Sequence, residues 1–337
     1  MYKFWREISL ILILAGCSSA PKNENHAIDQ LLVQDVGDID QSMADRIMSE
    51  PCPYHSQSRQ KVEGEIRQKV RWWIHYFTVN DRDRFKRNLE RGEKYKPLIQ
   101  QLLWQSHLPG ELYYLAMIES GFVNHATSEA SAVGIWQFMV PTAVNYGLSV
   151  EPDWDERTHP VAATVAATRY LEHLHQQFNS WYLAIAAYNA GQGRVQQAVR
   201  EGRTRDFWQL VDGGFLPHET MDYIPKFLAA ATIGEHLKQF GFEALPKTKP
   251  WPMVAKIDLK ISGKKTTVSQ LVRQTQMSEQ DLLRFNPQLA RVLSSGHPKK
   301  IKLWVSQAGA ESYQANERRV VVVNGKPKKL PPDDAQM

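Results

Sequence analysis

The chain has 337 residues, 42% hydrophobic and 23% charged, enough for one sizeable core with one or two small satellites. That balance excludes both wholesale disorder and a polytopic membrane protein. A formal charge of +5 and a pI near 9.0 would suit an anionic partner, but the lysines and arginines are scattered among acids, which argues against nucleic acid.

Lys3 and Arg6 precede the apolar run Ile8 to Ala15, the layout of a secretory signal peptide over residues 1–16. The run is too short to span a bilayer. It ends in Leu14-Ala15-Gly16-Cys17, which resembles the bacterial lipobox; the alternative is a buried cysteine after a chance apolar stretch. The resemblance implies that Cys17 is acylated and anchors the chain to a membrane. Ser18, where inner-membrane lipoproteins commonly carry an aspartate, implies the inner face of the outer membrane, in the periplasm. Only Cys52 would then remain, which leaves no intramolecular disulfide. Residues 17–55 are poor in aromatics and end in Pro51 and Pro53, as a tether would.

From Glu63 to Leu103 the apolar positions Ile66, Val70, Trp73, Ile74 and Phe77 recur at three and four, predicting a helical lead-in over 56–105 buried on one face. The stripe Trp72, Trp73, Tyr76 and Phe77 reads either as core or as a sugar platform. A second helical series fills Pro109 to Phe242, rich in alanine and poor in strand alternation. After Pro250 the texture changes: a strand over Met253–Ile261, helices over Val268–Gln274 and Ser278–Phe285, and a strand over Lys300–Val305 predict a small βααβ domain at 250–310. Val320 to Val323 with Asn324-Gly325 predicts a hairpin within a tail at 311–337. The fold class expected is therefore mainly α, with a small mixed domain behind it.

Leu112, Leu115, Ala116 and Glu119 fall at i, i+3, i+4 and i+7, so a carboxyl lies on the apolar face of a helix that Gly121 should end. Desolvation and the negative end of the helix dipole both favour its protonated form, the property of a general acid at neutral pH. From this segment alone, a solvated glutamate near a helix end remains the alternative. Three further segments follow: Gly134-Ile135-Trp136-Gln137-Phe138-Met139, Ala187-Tyr188-Asn189-Ala190-Gly191, and Glu219-Thr220-Met221-Asp222-Tyr223. With Glu119-Ser120-Gly121-Phe122, their order and spacing over about residues 95–245 resemble the lytic murein transglycosylases related to goose-type lysozyme, most of all the membrane-bound ones.

The resemblance implies a lysozyme-like transglycosylase domain, placed here at 106–245, acting on the glycan strands of peptidoglycan without a cofactor. It implies Glu119 as catalytic acid, Ser128 near the acetamido or leaving group, Gln137 and Met139 lining the sugar groove, Tyr188 and Asn189 closing the site, and Tyr223 as a further groove residue. Met139 and Tyr223 read equally as core, and Ser128 as a loop cap; Gln137 and Asn189 need hydrogen-bond partners if buried. Gly191 and Gly193 suit the turn after the Trp181–Ala190 helix.

Most glycosidases use two carboxylates. Glu111 suits a helix start, and Glu129, Asp153 and Asp155 belong to no matched segment, so a single-carboxylate, substrate-assisted path giving 1,6-anhydromuramoyl ends is expected. The rivals are a hydrolytic muramidase using the same Glu119 and a wall-binding lipoprotein that does not cut. No metal site is expected, because His173 and His175 lie two apart on a helix and no His-Glu-x-x-His occurs. The small domain resembles a LysM module in element order, with Asn286-Pro287 after the second helix but without the usual Gly-Asp-Thr opening; a structural cap is the other reading.

Overall fold

The computed structural model describes residues 57–252, 254–261, 266–295, 299–318, 320–323 and 326–329. The expected signal peptide, Cys17, the tether and Cys52 lie outside the described residues. The described chain is mainly helical.

α1 (Gln57–His75) runs into a π-type turn (Tyr76–Asn80), followed by α2 (Arg82–Glu93) and α3 (Lys96–Gln105). A 3-10 turn over Gly110–Leu112 leads into α4 (Tyr113–Ser120). Then come α5 (Val140–Asn145), the short strands β1 (Val150–Glu151) and β2 (Trp154–Asp155), and a 3-10 turn over Glu156–Thr158. α6 (Pro160–Phe178), α7 (Trp181–Ala190), α8 (Gln192–Gly202), α9 (Phe207–Asp212) and α10 (His218–Glu235) complete the helical body. Gly193, expected in a turn, lies in the first turn of α8.

Tyr113 through Met117 are all buried, so α4 has no polar face and forms the centre of the body. α1 lies along α10, joined by the Lys69–Asp222 ion pair, which makes the helical lead-in part of the same core. The aromatic stripe of α1 divides: Trp73 and Phe77 are buried, whereas Trp72 is 44% exposed and stacks on Tyr76 at 5.3 Å. Ala163, Ala166 and Ala167 of α6 and Ala184, Ala186 and Ala187 of α7 are buried, which lets these helices approach closely.

The small domain follows the expected order with two additions. β3 (Ala255–Ile261) is followed by α11 (Val268–Thr275), α12 (Glu279–Phe285) and a further helix, α13 (Leu289–Ser294). β4 (Lys299–Val305) then pairs antiparallel with β3, from Ala255↔Val305 to Ile261↔Lys299. Ile257, Leu259 and Ile261 alternate inward with Ile301, Leu303 and Val305. α14 (Gln307–Arg318) lies in the segment expected as tail, yet it packs on this domain through buried Ala310 and Tyr313. β5 (Val320–Val323) and β6 (Lys326–Lys329) pair with each other as the expected hairpin. Asn286, 1% exposed, accepts from Trp304 N at 2.8 Å and donates to Leu282 O and Trp304 O, so its amide ties α12 to β4.

The two domains share one seam. Trp251 N donates to Lys94 O, and its ring lies 6.0 Å from Phe285. At the head of α6, Pro160 occupies the first helical position and His159 Nδ1 accepts from Ala162 N at 3.2 Å, capping the helix. The His159 ring stacks on Trp304 at 4.3 Å. Burial, and after it the nearby Lys256 ammonium, lowers the His159 pKa to about 3.

The unfolded chain therefore takes up this proton first, and the stability that neutral His159 contributes is complete above about pH 6.5 and lost as pH falls toward 3. His159→Asn keeps a capping side chain that does not titrate. Thermal melts across that range should show wild type losing stability relative to the variant as pH drops; a constant difference would refute the neutral, buried histidine.

Candidate active site

α4 ends where Gly121 adopts φ 58°, a left-handed cap whose N–H bonds to Met117 O at 2.8 Å. A side chain there would meet Asn88, so both conformation and space require glycine. Glu119, in the last turn, is half-buried among the surrounding helices. Burial raises its pKa above the usual carboxylate range and the Glu219 carboxylate adds to that; a hydrogen bond from Tyr223 and the Lys226 ammonium act against it. The Tyr223 hydroxyl donates to Glu119 Oε1 at 2.6 Å. Burial and the neighbouring carboxylate hold the Tyr223 and Tyr188 hydroxyls well above the ordinary phenol value, so both keep their protons.

The loop after α4 folds back over the site. Ser120 Oγ donates to Ile135 O at 3.0 Å, fastening the helix end to the loop. Tyr188 Oη, on α7, donates to Trp136 O at 2.7 Å. Gln137 sits at φ 49°, and its Nε2 donates to Gly134 O at 2.8 Å and Ala126 O at 3.2 Å, the partners its partial burial requires. Gly134, at φ 87°, passes so close to the next segment that a Cβ would lie 1.9 Å from Arg157 O. Arg157, 7% exposed, donates from Nη1 to Ser131 O and Phe138 O, both at 3.1 Å, while Asp155 holds its other side.

The expected residues thus fall into two groups. Tyr223 touches Glu119 directly, Tyr188 is an electrostatic neighbour of it, and Asn189 accepts from Thr220 Oγ1 at 3.2 Å, joining α7 to α10. Ser128, Gln137 and Met139 belong to the covering loop. Ser128 Oγ accepts from Ala132 N at 3.0 Å, a turn cap in the resting chain, and Met139 is 43% exposed, which removes the core reading for it. Tyr223 is buried and its hydroxyl meets Glu119, so it belongs to the core and also touches the candidate acid. Asp155 is engaged with Arg157 rather than with Glu119.

Sequence reasoning missed Lys226 and Arg157. Lys226 lies one helical turn beyond Tyr223, with its ammonium 5.6 Å from the Trp73 ring centroid. Its pKa is lowered by burial and partly restored by Glu119. Its spacing from Tyr223 was a usable signal; nothing in the sequence singles out Arg157. Among the described residues no group of three or more His, Cys, Asp or Glu could hold a metal ion; His173 lies edge-on to Tyr146, and His175 stacks on Trp181.

Residues 97–211 match the Transglycosylase SLT domain. Over 174 residues the chain is 39% identical to membrane-bound lytic murein transglycosylase D of Escherichia coli K12, covering 50% of this chain and 37% of that protein. It is 30% identical over 131 residues to membrane-bound lytic murein transglycosylase C of Haemophilus ducreyi, covering 35% of this chain and 36% of that protein. A solved structure of lytic transglycosylase Slt from Pseudomonas aeruginosa is 26% identical with a TM-score of 0.35, covering 46% of this chain and 24% of that one. The chain therefore spans little more than a third of the two curated relatives named here.

Tyr223→Phe removes the donor that favours the carboxylate, so the Glu119 titration followed by carboxyl NMR should move to higher pH; Lys226→Met should move it the same way. An unchanged or lower midpoint in both would refute this account of the site. Gly134→Ala should cost at least about 2 kcal/mol of unfolding free energy, from left-handed strain and the clash with Arg157 O, read from denaturant midpoints.

Proposed function

We propose that the chain is a peptidoglycan lytic transglycosylase, a carbon–oxygen lyase that cleaves the bond between N-acetylmuramic acid and N-acetylglucosamine with Glu119 as its one acid and base. The observation that carries the reading is a carboxyl at the end of α4 whose pKa burial raises, with a phenol donating to it at 2.6 Å. Similarity to the lytic murein transglycosylases supports the substrate class.

In the first step protonated Glu119 delivers its proton to the glycosidic oxygen as the C1–O bond breaks, and the bonding electrons leave with the N-acetylglucosamine 4-hydroxyl. The substrate's own acetamido oxygen stabilises the electron-poor C1. In the second step the Glu119 carboxylate, which the Tyr223 hydroxyl and the Lys226 ammonium stabilise, removes the C6 hydroxyl proton as O6 bonds to C1. Glu119 is restored, no water enters, and the product ends in 1,6-anhydromuramic acid. Because the nucleophile is tethered to the reacting ring, proximity lowers the barrier. Ser128, Gln137, Met139, Tyr188 and Asn189 line or close the groove in this reading.

The lipobox supports acylation of Cys17 and attachment at the periplasmic face of the outer membrane. Among the described residues no helix is long and apolar enough to cross a membrane. The β3-α11-α12-α13-β4 order, a strand, helices and a closing strand with one helix more than βααβ, supports the likeness of residues 250–310 to a LysM module, with a second glycan contact.

Glu119→Gln should abolish release of soluble fragments from purified sacculi while glycan binding persists; residual turnover above about one hundredth of wild type would sink the single-carboxylate scheme. Mass spectrometry of the wild-type products should find termini lighter by one water than hydrolytic ends. Amide replacements of Glu129 or Asp153 should leave the rate within about tenfold, or about 1.4 kcal/mol of barrier, and mainly reducing ends or an inactive variant at either position would mean a two-carboxylate hydrolase; Asp155 holds the Arg157 guanidinium, so its amide would disturb the loop as well. Cys17→Ala should move the protein out of the outer-membrane fraction without loss of activity on added sacculi; unchanged fractionation would refute the lipobox.

A further inference from the structure

The small domain grips the helical body at the turn that follows β2. Gln288, just before α13, meets this turn three times. Its Oε1 accepts from Asp155 N at 2.5 Å, and its Nε2 donates to Asp155 O and Thr158 Oγ1, both at 3.2 Å. Beside it, Trp304 Nε1 donates to Glu156 Oε1 at 3.2 Å, and Lys256 Nζ lies 3.2 Å from the same oxygen. Glu156 is 2% exposed, and its other oxygen accepts from Ser149 N at 2.9 Å.

The gripped segment is weak by itself, since β1 and β2 have two residues each and so short a ribbon is marginal in isolation. It nevertheless carries Arg157, whose guanidinium holds Ser131 O and Phe138 O and whose carbonyl lies against Gly134. The loop between those points is the one that Ser120 and Tyr188 fasten beside Glu119. A continuous run of direct contacts therefore leads from Gln288 to the loop that Ser120, the residue after Glu119, and Tyr188 hold, with Trp304 gripping the same turn. Gln288, Trp304 and Lys256 all lie outside the stretch that matches the SLT domain.

We infer that the C-terminal domain braces the active-site loop, with Gln288 as a positioning residue that acts through the Asp155–Thr158 turn and Arg157. The domain is thus a working part of the catalytic body and not only a glycan-binding appendage. Loosening the grip frees the loop over residues 131–138, and with it the wall of the groove beside Glu119. The kinetic part of this inference rests on the proposed reaction; the structural part does not.

Gln288→Met in the full chain keeps side-chain length and removes all three hydrogen bonds. Hydrogen–deuterium exchange should then speed up about tenfold at the amides of Val133, Gly134 and Phe138, which are bonded within the loop or to Ala126, and stay at the wild-type rate in α1 and α10. Turnover of sacculi should show kcat lowered about tenfold at unchanged KM. Trp304→Phe, which keeps a ring but removes the bond to Glu156, should give the same pattern more weakly. Lys302→Ala, which removes an exposed ion pair with Asp258 in the same domain, should give none of it. Faster exchange confined to residues 155–158 or 250–318, with 131–138 unchanged, would overturn the brace, as would a raised KM at constant kcat. A wild-type chain with no lytic activity would sink the proposed function instead, and the exchange at 131–138 alone would then decide the brace.

Discussion

Burying Glu119 at the C-terminal end of a helix with no polar face carries an electrostatic cost, and the neighbouring residues limit that cost without removing it. Desolvation and the helix dipole both disfavour the anion, which raises the pKa of the carboxyl. In the proposed reaction the same group later accepts a proton, so its surroundings cannot be too hostile to its charge. The Tyr223 hydroxyl and the Lys226 ammonium supply that tolerance from one face of α10, one helical turn apart. Gly121 ends α4 within two residues of the carboxyl, so the chain leaves as soon as the group is placed.

The chain that leaves must then return, and short irregular backbone returns it. Beyond the Gly121 cap the loop holds four residues of positive φ, Phe122, Ser131, Gly134 and Gln137, and its bridges are isolated ones, Thr127↔Val133 and Val133↔Phe138. Such a segment has little intrinsic stability. Its order comes from side chains reaching across sequence: Tyr188 from α7, Arg157 from the following turn and Ser120 from the helix it covers. A site built this way combines rigid helices, which fix the acid, with a loop whose shape depends on a few polar contacts.

What could be read from the sequence was whatever local rules govern. The apolar spacing of Leu112, Leu115 and Ala116 and the glycine stop placed Glu119 on its helix, and the change of texture after Pro250 announced a strand ending at Ile261. The four motif segments named Tyr188, Asn189 and Tyr223, and the fold brings their elements together around Glu119. Arg157 was invisible because its meaning lies in carbonyls 19 and 26 residues away, which no periodicity marks. Lys226 was hidden by its type: a lysine on a helix usually faces water, and only tertiary packing under Trp73 buries this one. α14 was taken for tail because its buried positions, Ala310 and Tyr313, are two among many polar residues.

The pairing of α1 with α10 has a consequence in time. The Lys69–Asp222 pair is separated by 153 residues and the Tyr223–Glu119 pair by 104. Contacts of such long range form late, after the intervening loop entropy has been met. During synthesis at about 5–20 residues per second, Tyr223 follows Glu119 by roughly 5–20 s, and α1 gains α10 as a neighbour only at about the same moment. The surroundings that raise the Glu119 pKa are thus complete only when nearly all of the helical body has been made, an order of assembly written into the order of the helices.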